Sequence, residues 1–442
     1  MGRGGATDSE SRFLRYVEGL VSVIGHADRA RPLRDYCLGL MVSRGRKSVE
    51  PMAATTAPER TSAQHQSLLH FVGTANWSDE NVLGKVRAMV LPEIERHGPL
   101  EAWIIDDTGF PKKGQHSVGV SHQYCGQLGK QANCQVAVSL SVANHHASLP
   151  VAYQLYLPKG WAEDSARRGK AGVPEEVSFQ TKPEIALAQI RWACKAGLPR
   201  GNVLLDAGYG NDSKLREGIS AEGLTYSGGI LPQTLVWKPG IRPGRKSKSR
   251  KSKNGKPKRD TVSVKQLALG LPAKAWRTIK WREGTNDWLS SRFARVRVAV
   301  APSHEPDKKP TKEWLLIEWP KGEAEPTKYW LSTLPEAISF LNLVDATKLR
   351  WRIERDYQEL KQEVGLGHFE GRGWRGFHHH ATLCIAAYAF LISERGDDSP
   401  LRTSCRRSVP RACPTRRLPT QRSRHCGLNG TSQTQLQPYA YG

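Results

Sequence analysis

The stretch LRWRIERDYQELKQEVG, Leu349 to Gly365, decides how this chain is read. Leu349, Ile353, Leu360 and Val364 recur at spacings of four, seven and four, which predicts an amphipathic helix with one apolar stripe laid on a core. Glu354 follows Ile353 by one residue and so stands about 100° round from it, at the edge of the stripe. Arg350, Glu354 and Lys361 lie four and seven residues apart, which puts the three on one face. A carboxylate flanked by two cations along one face can hold a metal ion while the cations grip phosphates. The same spacing also suits a solvated helix laced with charge pairs.

Two blocks upstream shift that balance. Glu101 to Ile105 reads as a short strand ending at Asp106 and Asp107, and Asn202 to Leu205 as a buried strand ending at Asp206. Functional groups in α/β folds tend to lie beyond the carboxyl ends of strands. Each aspartate alone could be a turn or helix cap, but three such carboxylates together with a helix glutamate form a set. Hard cations prefer carboxylate oxygen, and phosphoryl transfer by two Mg²⁺ ions about 3.5 to 4 Å apart needs such oxygens. Strand alternation leaves the choice within the Asp106–Asp107 pair open, because both faces of a covered sheet can be buried.

On these residues the chain resembles the bacterial insertion-sequence transposases of the DDE type, in the group marked by the signature Y-x2-R-x3-E-x6-K. Arg350, Glu354 and Lys361 match its last three positions, with Thr347 where tyrosine is usual. IIDDTGF (104–110) matches the first aspartate block and LLDAGYG (204–210) the second, so the likeness covers roughly 99–394. The resemblance implies an RNase H-like mixed sheet with helices, interrupted by a β-rich insertion between the second Asp and the Glu. It implies Asp107, Asp206 and Glu354 as ligands of two Mg²⁺ ions, with Mn²⁺ able to substitute. It favours Asp107 over Asp106 because the family aspartate stands immediately before Thr, here Thr108; Asp106 would then support the site. Arg350, Lys361, Arg372 and Arg375 are the candidates for contacting double-stranded DNA, both transposon terminal repeats and target. A homodimer in the synaptic complex follows from the need to join two ends.

The 442 residues predict two or three folding units, and 66 Lys and Arg against 42 Asp and Glu leave a formal charge of +24. That balance points to a polyanionic partner, nucleic acid first. It offers nothing to a neutral sugar, which argues against a glycoside hydrolase built on paired carboxylates. No apolar window of about 18 residues could span a bilayer, and the opening MGRGGATDSESRF lacks the apolar stretch of a signal peptide. A cytoplasmic, nucleoid-associated protein with no membrane partner is expected. Eight cysteines without a C-x-x-C pair fit neither a zinc site nor a disulfide framework and read as structural thiols.

Five regions are expected. Residues 1–98 form a helical N-terminal DNA-binding domain, from the three- and four-residue spacing of Phe13, Val17, Leu20 and Ile24 and of Val82, Val86, Val90 and Ile94. Residues 99–228 form the first part of the catalytic core, with an antiparallel hairpin over CQVAVSLSVA and LPVAYQLYL. Residues 229–335 hold the β-rich insertion with the basic loop Lys238 to Arg259, 336–394 complete the core with the glutamate helix, and 395–442 read as a disordered basic tail.

Three other features carry less. GRGWRG, Gly371 to Gly376, satisfies G-x-G-x-x-G but follows a helix and not a strand, so a dinucleotide site is rejected. His378, His379 and His380 point in different directions on a helix, which suits packing or phosphate contact over a metal. Among Trp276, Trp281, Trp288, Trp314 and Trp319, one could stack on an unpaired base, while core packing accounts for most. The alternative function is a catalytically decayed transposase acting only as a DNA-binding protein.

Overall fold

The hairpin foreseen over residues 134–157 becomes the spine of a large sheet. A computed structural model describes residues 4–238, 261–283, 288–301 and 311–398. Most of the basic loop and the tail beyond 398 lie outside the described residues. Five helices lead the chain: α1 (Gly4–Val21), α2 (Ala30–Val42), α3 (Val49–Thr56), α4 (Thr61–Gly73) and α5 (Asp79–Arg96). Strands β1 (Ala102–Pro111), β2 (Ser121–Cys125), β3 (Lys130–Ala143) and β4 (Ser148–Leu155) follow. Next come α6 (Lys159–Ala162), α7 (Ser165–Ala171), α8 (Lys182–Lys195), β5 (Asn202–Leu205), α9 (Ala207–Gly210), α10 (Ser213–Ala221) and β6 (Tyr226–Ile230). A small pair, β7 (Leu235–Trp237) and β8 (Thr261–Ser263), precedes α11 (Val264–Leu269). The remainder is β9 (Arg277–Glu283), β10 (Trp288–Ala299), β11 (Lys312–Trp319), β12 (Lys328–Ser332), α12 (Phe340–Lys348), α13 (Trp351–Gln362) and α14 (Trp374–Asp398).

The sheet has ten strands in the order β2-β3-β1-β5-β6-β12-β11-β10-β9, with β4 also paired to β3. Within it, β4-β3-β1-β5-β6 has β3 antiparallel to β1 and to β4, and β1, β5 and β6 mutually parallel, the mixed α/β arrangement of an RNase H-like core. Beyond β6 the strands of the insertion continue the same sheet, since β12 pairs antiparallel with β6 over Tyr329–Ser332. A separate apolar cluster, including Ile279, Phe293, Trp314 and Leu316, joins this extension to Leu343 and Val344 of α12.

Helix α14 is buried around its whole circumference from Ala381 to Phe390, as befits a helix with no polar face. The N-terminal helices pack on it: Tyr16 donates to the Ala386 carbonyl at 2.8 Å, and the Phe13 and Phe390 ring centroids lie 5.3 Å apart. One apolar core therefore runs from α1 through the sheet to α14. Among the described residues no helix is long and apolar enough to cross a membrane.

Candidate active site

Strand β1 departs from its expected length. The sequence reads as a strand ending at the acidic pair, yet the strand runs to Pro111 because the 14-residue β3 pairs with it residue by residue from Ala102 to Pro111. On its other side β5 pairs only with Ala102 to Ile104. Asp106 and Asp107 thus lie in mid-strand, just past the point where the β5 side of β1 opens. Asp206, directly after β5, caps α9, and its Oδ1 accepts the Tyr209 N–H at 3.0 Å. Short α9 can sit on β6 because glycines face each other there: a Cβ at Gly210 would meet the Gly229 carbonyl oxygen at 2.2 Å. That close approach, which only glycine permits, sets where Asp206 and Tyr209 stand.

Helix α13 is the helix foreseen over 349–365. Leu349, Ile353, Leu360 and Val364 are all buried, and Glu354 is 70% exposed. The helix lies on the face of β1 that carries Asp106: Ser139, opposite Asp106 in the register, shares a 2.6 Å hydrogen bond with the Tyr357 hydroxyl. Asp356 of the same helix is buried and accepts from Ser148 and Tyr388. Thr347, at the tyrosine position of the signature, is buried in α12 and donates to the Leu343 carbonyl at 2.7 Å.

Arg350, at the start of α13, is the hub. Its Nη1 donates to Asp106 Oδ2 at 2.8 Å and its Nη2 reaches Glu354 Oε1 at 3.4 Å. Burial disfavours its charge, but Asp106, Asp206 and Glu354 together raise its pKa. Asp106 also accepts the Asp107 N–H on Oδ1 at 2.8 Å. Its carboxyl is pushed up to about 7, first by burial, with Arg350 pulling it down and Asp206 and Asp107 pushing it up. The set is thus richer in carboxylate than one guanidinium balances, which is the donor chemistry of a hard divalent cation. Among the described residues no three Asp, Glu, His or Cys side chains already converge closely enough to hold one ion.

Asp107 points the other way, as strand alternation demands. Its Oδ2 accepts from Lys182 Nζ of α8 at 3.0 Å and from the Tyr209 hydroxyl at 3.1 Å. Sequence reasoning missed both partners. Tyr209 could have been found, since a helix turn after Asp206 brings it back toward the strand; nothing marked Lys182. The two aspartates of the pair differ in their partners: Asp106 shares Arg350 with Glu354, and Asp107 has a lysine and a tyrosine of its own.

The other candidate residues lie as follows. Lys361 donates to the Gly109 carbonyl of β1 at 2.9 Å and to Gln127 Oε1 at 3.2 Å, and burial lowers its ammonium to about 8. Arg372 and Arg375 are both exposed, and Arg375 donates to the Thr74 carbonyl at 2.8 Å. GRGWRG follows a 3-10 turn and opens α14, with no strand before it. The three histidines are packing groups: His378 accepts from Leu155 N, His379 stacks on Trp77 with centroids 3.6 Å apart, and His380 lies between Tyr36 OH and the Gly365 carbonyl. Burial lowers each of them to about 4.

Comparison with known proteins agrees with this architecture. A family described as DDE superfamily endonuclease matches residues 19–287, and one described as transposase DDE domain matches residues 186–390. The probable transposase for insertion sequence element IS701 of Microchaete diplosiphon is 33% identical over 149 residues, 34% of this chain and 36% of that protein. The match thus spans about a third of that curated relative's length. With a family match over more than half of its length, the chain belongs to the DDE superfamily of endonucleases and transposases.

Proposed function

We propose that this chain is a DNA transposase that binds transposon ends, hydrolyses a phosphodiester to free a 3′-OH, and directs that 3′-OH at target DNA. The observation that carries the reading is the sharing of Arg350 by Asp106 of β1 and Glu354 of α13, with Asp206 at the end of β5 near enough to raise the Arg350 and Asp106 pKa values. Membership of the superfamily implies a divalent metal, and these three carboxylates would hold it, Mg²⁺ with Mn²⁺ as substitute. Two such ions would supply Lewis-acid stabilisation to the attacking and leaving oxygens of an in-line displacement.

The remaining residues prepare that site. The α9 amide orients Asp206, and the Asp107 N–H orients Asp106. Lys182 and Tyr209 hold Asp107 on the opposite face, so that it supports Asp106 without competing for the ion. Lys361 ties α13 to β1 at Gly109, which keeps the glutamate helix in register with the aspartates. Arg350 and the exposed Arg372 would meet DNA phosphates, and the +24 charge supplies long-range attraction. A homodimer would bring two ends together.

The test is a cleavage assay on duplex DNA carrying the repeats that flank the element. Nicking that exposes a 3′-OH in Mg²⁺ or Mn²⁺, and is lost in Glu354→Gln, supports the reading. DNA binding without cleavage in either metal would leave a DNA-binding relic instead.

A further inference from the structure

Two carboxylates of the site share an internal cation, and a third lies near it. Arg350 donates to Asp106 at 2.8 Å and to Glu354 at 3.4 Å, and Asp206 acts on the same guanidinium. Asp106 retains 17% side-chain exposure, Arg350 24% and Glu354 70%, so the cluster opens to solvent on its Glu354 side. A divalent ion bound by these carboxylates would use the oxygen lone pairs that Arg350 now occupies. Two positive centres competing for one set of oxygens at contact distance repel strongly.

We propose that Arg350 is a displaceable counter-ion: it holds the carboxylates together before metal loading and leaves them as the metal binds. The inference rests on the ligand set of the proposed function and adds an antagonism within it. Once off the carboxylates, the guanidinium is free at the edge of the site, with donors suited to bidentate pairing with phosphate oxygens. Phosphate binding draws Arg350 from the carboxylates and so favours the metal; the metal frees Arg350 and so favours phosphate. By linkage the two effects are equal in size. The other contacts of the cluster do not impose this exchange, because Asp107 has Lys182 and Tyr209 and Lys361 is tied to the Gly109 carbonyl.

The experiment measures Mn²⁺ binding to the full-length, DNA-free protein by the paramagnetic signal of free Mn²⁺, with no catalytic readout. Arg350→Gln should bind Mn²⁺ roughly tenfold more tightly than wild type, because a competing charge is gone. Arg350→Lys, which keeps the charge but can reach only one carboxylate at a time, should fall between. Adding a short duplex of arbitrary sequence should tighten Mn²⁺ binding in wild type and have little effect in Arg350→Gln. Affinity in both variants equal to or weaker than wild type would overturn the counter-ion role, and a thermal melt identifies a variant that has not folded. Asp106→Asn and Glu354→Gln are run alongside. If they bind Mn²⁺ as well as wild type, the ligand set itself is wrong; if they bind weakly while Arg350→Gln gains nothing, only the counter-ion inference fails.

Discussion

The two faces of β1 treat adjacent aspartates differently. On one face Asp106 shares a single guanidinium with Glu354, beside Asp206. On the other, Asp107 is matched by the Lys182 ammonium and the Tyr209 hydroxyl. A carboxylate with its own cation and hydrogen-bond donor is satisfied within the fold, whereas two carboxylates on one arginine with a third nearby have charge left over for something from outside. On the proposed reading, satisfaction within the fold, more than position in a motif, separates a supporting residue from a ligand.

That contrast can be broken by substitution. The largest effect is expected on the Asp106 face: Glu354→Gln should keep DNA binding yet lower strand cleavage by at least about a thousandfold, measured on end-bearing duplex in Mg²⁺. Cleavage within a few-fold of wild type would remove Glu354 from the site. Lys361→Ala comes next. Since its ammonium bonds the Gly109 carbonyl, cleavage should fall roughly 10- to 100-fold, as when a residue supporting a metal ligand is lost. The salt dependence of DNA binding should hardly change; a slope reduced by about one would instead make Lys361 a phosphate contact. The smallest effect belongs to the Asp107 face, where Lys182→Gln and Tyr209→Phe should each slow cleavage by about tenfold or less. Loss of Mn²⁺ affinity in either, measured without DNA, would mean that Asp107 is a ligand after all.

How much was legible in the sequence follows from what each signal depends on. The stripe Leu349–Ile353–Leu360–Val364 is a local periodicity, and the helix it predicts is present with those four residues buried. The 134–157 hairpin was legible for the same reason. The extent of β1 was not, because its last residues are held by a partner strand, β3, that follows only after β2 in the chain. Nor was Lys182, which meets Asp107 across 75 residues of chain. The choice between Asp106 and Asp107 turns on which helix covers which face, and strand alternation carries no information about that. The three histidines show the converse: a run that looks chemical is consumed by buried contacts to Tyr36, Trp77 and Leu155.

The most direct test of the central claim, that Asp106 and not Asp107 faces the metal, compares Asp106→Cys with Asp107→Cys in Mg²⁺ and in Mn²⁺. A thiolate is a poor ligand for hard Mg²⁺ and a better one for a softer ion. Asp106→Cys should lose cleavage in Mg²⁺ and recover part of it in Mn²⁺, while Asp107→Cys cleaves in both metals at rates within about tenfold of wild type. A metal-dependent switch at Asp107, with Asp106→Cys active in Mg²⁺, would contradict the account.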